Sequence, residues 1–406
     1  MKADAYASLR FPDFRRFLVG HFLASLGLQM QTVAVAWYLY ERTDSPLALG
    51  AVGLAQVLPI ILLTLPAGHL ADRFDRKHLL MLTVALQCLV SIGLAVVAHA
   101  NGAIPLLYLL LVLNGIARAV VAPARDALGP QLLPLDLLGN AATWRSGLFQ
   151  LSSVLGPAGA GFIIGTYHSA TPAFVLTAGT LALFTFLLLP IEPRAYAANA
   201  GRGMTWHTLM AGVHFIREQR ILIATITLDL FAVLLGGATM LLPVFAKDIL
   251  HVGPRGLGWL MAAPSIGAMI VAIPLARKPL QRAGPALLWA VAGFALATIA
   301  FGLSRSFTLS LILLALIGGF DMVSVVIRST LMQVLTPDEL RGRVGAINAL
   351  FIGTSNELGG FESGVAAALL GPVRAVVYGG LGSMVVVAAV AKLWPEVRRF
   401  GALVER

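Results

Sequence analysis

Gly68-His69-Leu70-Ala71-Asp72-Arg73-Phe74-Asp75-Arg76-Lys77 is a short polar turn between two long apolar runs, near residues 47–70 and 79–99. Each run has the roughly 20 residues a helix needs to cross the hydrocarbon of a bilayer. The turn therefore joins two membrane crossings. Gly68 has no side chain, so a second helix can approach it closely, and Asp72, four residues on, can face the positive N-terminal end of a neighbouring helix. Arg73, Arg76 and Lys77 hold the turn at the membrane surface.

The same pattern extends in both directions. Apolar segments fall near 17–40, 47–70, 79–99, 103–125, 140–166 and 172–190, and after a polar stretch from Ile191 to Arg220 six more follow near 221–246, 256–276, 285–303, 307–333, 345–370 and 373–394. In a chain of 406 residues, 58% are hydrophobic and 12% charged, against about 25% charged in soluble domains. A mean hydropathy of +0.86 agrees, and a water-soluble enzyme is excluded. Backbone groups cannot go unpaired in hydrocarbon, so each crossing is expected to be a helix. The runs are too long and too uniformly apolar for the alternating strands of a barrel. The fold class is thus an all-α membrane protein with twelve transmembrane helices.

Twelve crossings put both termini on one side. Of the 29 Lys and Arg residues, five (Arg42, Lys247, Arg255, Arg305 and Arg374) fall in the loops of one side, and Arg118 falls inside the fourth crossing. The rest, Arg125, Arg145 and Arg328 among them, fall in the loops and helix ends of the side that holds the termini. The positive-inside rule then places both termini in the cytoplasm. Basic inner loops account for the net charge of +10 without a nucleic-acid partner. Residues Met1 to Phe17 lack the apolar core and cleavage site of a signal peptide. The single cysteine, Cys88, cannot form an intramolecular disulfide and reads as a packing residue.

Glu192 to Gly203 mixes Pro, Ala, Asn, Gly and Arg without helical periodicity, as a connection between halves would. Trp206 to Arg220 carries apolar Leu209, Val213, Phe215 and Ile216 against polar His207, His214, Arg217, Glu218 and Gln219, which fits a short interfacial helix or a plain loop. The halves are expected at 1–190 and 221–406, with a cytoplasmic linker over 191–220. They share a weak repeat at an offset of 203 residues: Arg118 falls on Asp321, Gly156 on Gly359 and Pro157 on Gly360.

The turn at 68–77 resembles the signature of the major facilitator superfamily, in which Gly is followed four residues later by Asp, then Arg, with a basic pair at the end. Asp75 stands where that family commonly has Gly. Gly147 with Gly156-Pro157-Ala158-Gly159-Ala160-Gly161 is similar to the Gly-Pro motif of exporters in the superfamily, interrupted here by Ala160. Gly147, Gly156, Pro157 and Gly161 are read as helix-packing or hinge positions. Thr336 to Arg343 and Asn356 to Gly364 look like the bacterial exporter branch that includes the enterobactin exporters. The resemblance implies two pseudo-symmetric six-helix bundles, helices 1, 4, 7 and 10 around a central cavity, and a turn that closes the cytoplasmic side. It also makes Asp126 the acidic partner of the turn's arginines, in a gate of Gly68, Asp72, Arg73, Arg76, Lys77 and Asp126.

Charges inside a bilayer cost roughly 2.5–3.5 kcal/mol each on insertion scales, so each needs a partner, water or a role. Five stand well inside crossings: Arg118, Asp229, Asp321, Glu357 and Glu362. An acid desolvated in a cavity that opens alternately to either side can bind and release a proton in each cycle. Asp321 or Glu357 is the expected proton carrier, with Arg118 as the competing charge. Asp321 and Arg328 are too far apart along one helix to pair directly. The histidines show no metal-ligand spacing, and neither a phosphate-binding loop nor a nucleophile elbow is present. The expectation is therefore a transporter, not an enzyme, with no cofactor and no metal. It would sit as a monomer among inner-membrane lipids and export a small organic molecule, a siderophore or a drug, by alternating access in exchange for protons. Alternatives at this stage are a proton-independent facilitator, an importer, or a receptor or scaffold that does not transport.

Overall fold

The computed structural model describes residues 4–193, 206–277 and 282–401, without the side chains of 64, 65, 69, 71, 72, 206–209, 211, 338, 339 and 346. Its order is a 3-10 turn at Ala7–Arg10, then α1 (Pro12–Thr43), α2 (Pro46–Arg73), α3 (Arg76–His99), α4 (Ile104–Leu128), α5 (Leu138–Tyr167) and α6 (Thr171–Leu188). After the undescribed part of the linker come α7 (Trp206–Glu218), α8 (Arg220–Leu235), α9 (Leu242–Val244), α10 (Gly253–Arg277), α11 (Ala283–Leu303), α12 (Phe307–Leu335), α13 (Asp338–Leu370), α14 (Pro372–Leu393) and α15 (Pro395–Arg399). No strand occurs among the described residues. Among the described residues, eleven segments are long and apolar enough to cross a membrane. The twelfth long helix, α13, has 33 residues but carries Arg341, Arg343, Glu357 and Glu362, which dilute its hydropathy.

α3 shows why these sequences make lipid-facing helices. Leu82, Leu89 and Val96, seven residues apart, are 60–69% exposed, whereas Leu80, Val84, Gln87, Ser91 and Leu94 are buried. The outer stripe is apolar and the inner one holds the amides and hydroxyls. This is the reverse of a soluble helix, and it follows from the solvent being hydrocarbon. Proline starts several helices at N1 or N2, as in α4, α6, α14 and α15, where its missing N–H costs nothing.

The contacts gather into two compact units, Met1–Leu39 with Ala55–Thr205, and Tyr40–Leu54 with Trp206–Arg406. In the first, Phe14, Phe17, Leu80, Leu128, Leu181, Phe184 and Leu188 form one apolar cluster. The start of the chain is tied onto α5: Ser8 N and Oγ both donate to Asn140 Oδ1 (3.2 and 2.5 Å), and Asn140 Nδ2 and Trp144 Nε1 both donate to Ala5 O at 2.9 Å.

In the second unit, α10 and α12 meet backbone to backbone. A Cβ on Gly318 would fall 1.9 Å from Pro264 O, and one on Gly267 would fall 1.7 Å from Ala315 O, a close approach that only glycine permits. The first N–H groups of α11, orphaned at any helix start, are met by the end of the chain: Ala283 N donates to Gly401 O (3.0 Å) and Gly284 N to Phe400 O (3.3 Å).

One sequence expectation changes, and one alternative left open is decided. The seventh crossing is not one helix over 221–246: α8 stops at Gly236, and the chain continues through a 3-10 turn, the short α9 and a π turn at Phe245–Ile249. The interfacial segment is a helix, α7, and it packs on α13 with Gly212 against Ile347 and Arg343.

Candidate functional site

The most concentrated polar chemistry of the second unit is supplied by α8 and α12. α12 carries Asp321, Ser324 and Arg328 at i, i+3 and i+7, one stripe of a helix. α8 presents Asp229, and its carboxylate forms an ion pair with the Arg328 guanidinium. The Arg328 side chain is 3% exposed and that of Asp229 11%. Neither charge would be tolerated alone at this burial. Asp229, Asp321 and Ser324 line a small cavity with Phe294, Phe320 and Val291, with about 10 Å³ of room for a water centre, which is space for about one water. Asp321 has no hydrogen bond or ion pair among the described residues.

This arrangement keeps Asp229 and Asp321 together and adds a group that sequence reading set aside. Arg328 is not one of the inner-side surface charges: it is buried in the bundle. As the spacing indicated, it does not pair with Asp321. Its partner is on another helix, which no spacing along one chain segment reveals. The remaining acids lie on α13, where Glu362 accepts from Ser363 Oγ at 3.4 Å and Glu357 is half-buried.

In the first unit the intramembrane polar groups are almost all neutral. Arg118 of α4 donates to Gln56 Oε1 of α2 at 2.7 Å. The two helices are close enough there that a Cβ on Gly115 would lie 2.6 Å from Gln56 O. Gln29 donates to Ser153 Oγ (2.9 Å) and Ser91 Oγ donates to Gln31 Oε1 (2.6 Å). Asn114, one turn before Arg118, is buried, and its Oδ1 has no partner among the described residues. Gly156 packs tightly, since a Cβ there would lie 2.5 Å from Gln29 Cβ and 2.9 Å from Leu26 O. Pro157 and Gly161 are buried in the same helix. Gly147 is different: a Cβ there would meet nothing within 4 Å, so close packing does not account for it.

At the 68–77 turn, Lys77 Nζ donates to Leu189 O at 2.8 Å, placing a cation on the C-terminal carbonyls of α6, where the helix dipole favours it. Asp75 is the N-cap of α3 and accepts from His78 N at 2.8 Å. That bond to the His78 backbone N–H, ahead of burial acting the other way, holds the Asp75 carboxyl below the usual carboxylate range. An Asp before Arg-Lys-His was a legible N-cap signal. Asp126 accepts from Arg125 Nε and from Arg145 Nη1, both at 3.1 Å. Arg73 is exposed and Arg76 half-buried, and the Asp72 side chain lies outside the described residues.

The profile of the Major Facilitator Superfamily matches residues 17–361. A staphyloferrin A transporter of Staphylococcus aureus is 26% identical over 364 residues, covering 88% of this chain and 90% of that protein. An enterobactin exporter of Escherichia coli O1:K1 / APEC is 26% identical over 399 residues, covering 96% and 93%. Among solved structures, the nucleoside transporter NupG superposes with a TM-score of 0.74 at 14% identity, covering 94% of this chain and 99% of that one.

Proposed function

Since the chain belongs to the Major Facilitator Superfamily, and is thus a multi-pass membrane transporter rather than an enzyme, we propose that it exports a small organic molecule across the cytoplasmic membrane in exchange for protons. In this reading both termini are cytoplasmic, 191–220 is the cytoplasmic linker between the halves at 1–190 and 221–406, and the turn with Gly68, Asp72, Arg73, Arg76, Lys77 and Asp126 belongs to the inner gate. The monomer is the transporting unit. Siderophore-like or drug-like cargo is the substrate class, supported by two relatives of which one is named for staphyloferrin A transport and the other for enterobactin export.

One observation carries the proton step: among the described residues Asp321 is an acid without an ionic or hydrogen-bonding partner, at a cavity beside the buried Asp229–Arg328 pair. Protonated, Asp321 is neutral and costs little in hydrocarbon. Ionised, it attracts Arg328, seven residues or about 10.5 Å along α12. At an effective dielectric of 20 that attraction is about 1.6 kcal/mol, enough to bias the Arg328 contact with Asp229 but not to replace it. Loading and release of one proton thus changes how firmly α8 is held to α12. Arg328 takes the competing-charge role that sequence reading gave to Arg118, and Arg118 with Gln56 and Asn114 is left to contact the substrate. Glu357 is the alternative carrier, with Glu362 a second acid on the same helix.

The test is uptake of labelled enterobactin, staphyloferrin A and cationic drugs into inverted vesicles with and without an acid interior. Accumulation that depends on the gradient in the parent and is lost in Asp321→Asn supports the proposal. Transport of equal rate with the gradient collapsed makes the protein a facilitator, and retention of gradient-driven uptake in both Asp321→Asn and Glu357→Gln removes these acids as carriers.

A further inference from the structure

After α14 the chain turns back across two other helices of the second unit, and its two attachments there are unequal. At α11 the seat is built from backbone and a buried side chain. Ala283 N and Gly284 N donate to Gly401 O and Phe400 O at 3.0 and 3.3 Å, and Val397 of α15 is 1% exposed. A Cβ on Gly284 would lie 1.7 Å from Val397 O and 3.0 Å from Phe400 Cβ. The atoms it would meet belong to the returning segment, so glycine at 284 is what admits that segment to the start of α11.

At α8 the polar attachment is an ion pair, Arg220 Nη1 to Glu396 Oε1 at 3.0 Å, with side chains 78% and 38% exposed. The backbone N–H of Glu396 itself, and then the hydrogen bond from Arg220, hold this carboxyl below the usual range, so the pair stays charged at neutral pH. Water stands ready to replace each partner and salt screens their attraction. α8 and α11 are also two walls of the cavity at Asp321: α8 supplies Asp229, Ala232 and Val233, and α11 supplies Val291 and Phe294. Arg220 is nine residues before Asp229, about 13.5 Å along the same helix, so a restraint on the start of α8 bears on the carboxylate that holds Arg328.

We propose that Pro395–Gly401 is a strap, seated firmly on α11 and held loosely to α8, which restrains the inner end of α8 and slows the step of transport in which α8 shifts against α12. The inference rests on the transport reading above, which places this end of the chain in the cytoplasm and makes the hold of α8 on α12 change with the proton. The asymmetry follows from the chemistry of the two ends. An exposed ion pair exchanges its partners for water at little cost, whereas unseating the segment from α11 strips two backbone hydrogen bonds and uncovers Val397. The α8 end therefore opens while the α11 end stays in place.

The test uses the full-length protein in inverted vesicles, with Cys88→Ala and one reporter thiol at a time, labelled by a membrane-impermeant maleimide. Leu222→Cys reports the start of α8 and Val397→Cys the seat on α11, both positions being buried. Glu396→Gln and Arg220→Gln are each expected to speed labelling at Leu222→Cys about two- to threefold and to leave Val397→Cys at the parent rate. Gly284→Val, whose side chain displaces the segment, is expected to speed both. The charge-swapped double variant Arg220→Glu with Glu396→Arg is expected to return Leu222→Cys toward the parent rate. Uptake of labelled enterobactin and staphyloferrin A is expected to rise about two- to threefold in Glu396→Gln. Equal labelling of Leu222→Cys in the parent and both single variants, a swap no better than Arg220→Glu alone, or unchanged uptake in Glu396→Gln overturns the strap. The two proposals fail separately: a parent that transports none of the labelled compounds sinks the transport reading, while the labelling rates still decide whether the strap restrains α8.

Discussion

The two units solve the same problem, polar atoms in hydrocarbon, with opposite chemistry. In the first, Gln29 with Ser153, Gln31 with Ser91, and Gln56 under Arg118 satisfy one another largely through neutral amides and hydroxyls. In the second, Asp229 and Arg328 form a buried ion pair, and Asp321 stands beside it without a partner among the described residues. A neutral hydrogen bond adds about 1 kcal/mol and is replaced at little cost, so it fixes geometry without storing charge. A desolvated ion pair is different: losing either partner leaves a charge stranded. In the proposed transport cycle the first arrangement would serve recognition, and the second a step driven by one proton.

The sharpest way to break this contrast is at Asp321. Asp321→Asn is expected to abolish pH-gradient-driven uptake while leaving the protein folded and its thermal transition near the parent's, because the acid has no partner to lose among the described residues. Next in size, Asp229→Ala or Arg328→Met alone is expected to cost about 3–5 kcal/mol of stability by leaving the other charge buried, measured as a fall in midpoint in detergent. The double variant Asp229→Leu with Arg328→Met is expected to be more stable than either single one. Additive losses in that cycle would show that the two groups act independently.

On the neutral side, Gln29→Leu is expected to cost only about 1 kcal/mol. A loss as large as that of Asp229→Ala would erase the distinction between the units. Smallest and most local is Asp75→Ala, which removes the α3 cap for about 1 kcal/mol or less, the side chain being largely exposed. Since the Asp75 carboxyl is held below its usual range when folded, its ionic contribution is complete above the unfolded value and fades as pH falls through the folded one. The stability gap between Asp75→Ala and the parent should therefore narrow in acid, and a gap that widens there would contradict the N-cap assignment.

Much of the fold was legible because lipid imposes a simple rule: an apolar run long enough to cross must be a helix. The break in the seventh crossing was partly visible as Gly236-Gly237, two residues that weaken a helix. The helix at 206–218 was undecided because its pattern serves a membrane surface and a neighbouring helix equally well; its seat on α13 is a tertiary fact. The candidate site was half legible. Asp229 and Asp321 stood out because isolated charges are rare in apolar runs, but Arg328, near a helix end, looked like any inner-loop cation. Asp126 was expected to face the turn's arginines and is instead held by Arg125 and Arg145, a choice between cations made by helix proximity.

Sequence alone determined that this chain lives in a membrane, that it is helical, which family it resembles, and which few charges would have to be explained, because burial costs in hydrocarbon are written residue by residue. Only the tertiary structure decided which charge answers which. Pairing depends on distances between helices far apart in the chain, and those are set by where glycines let backbones meet.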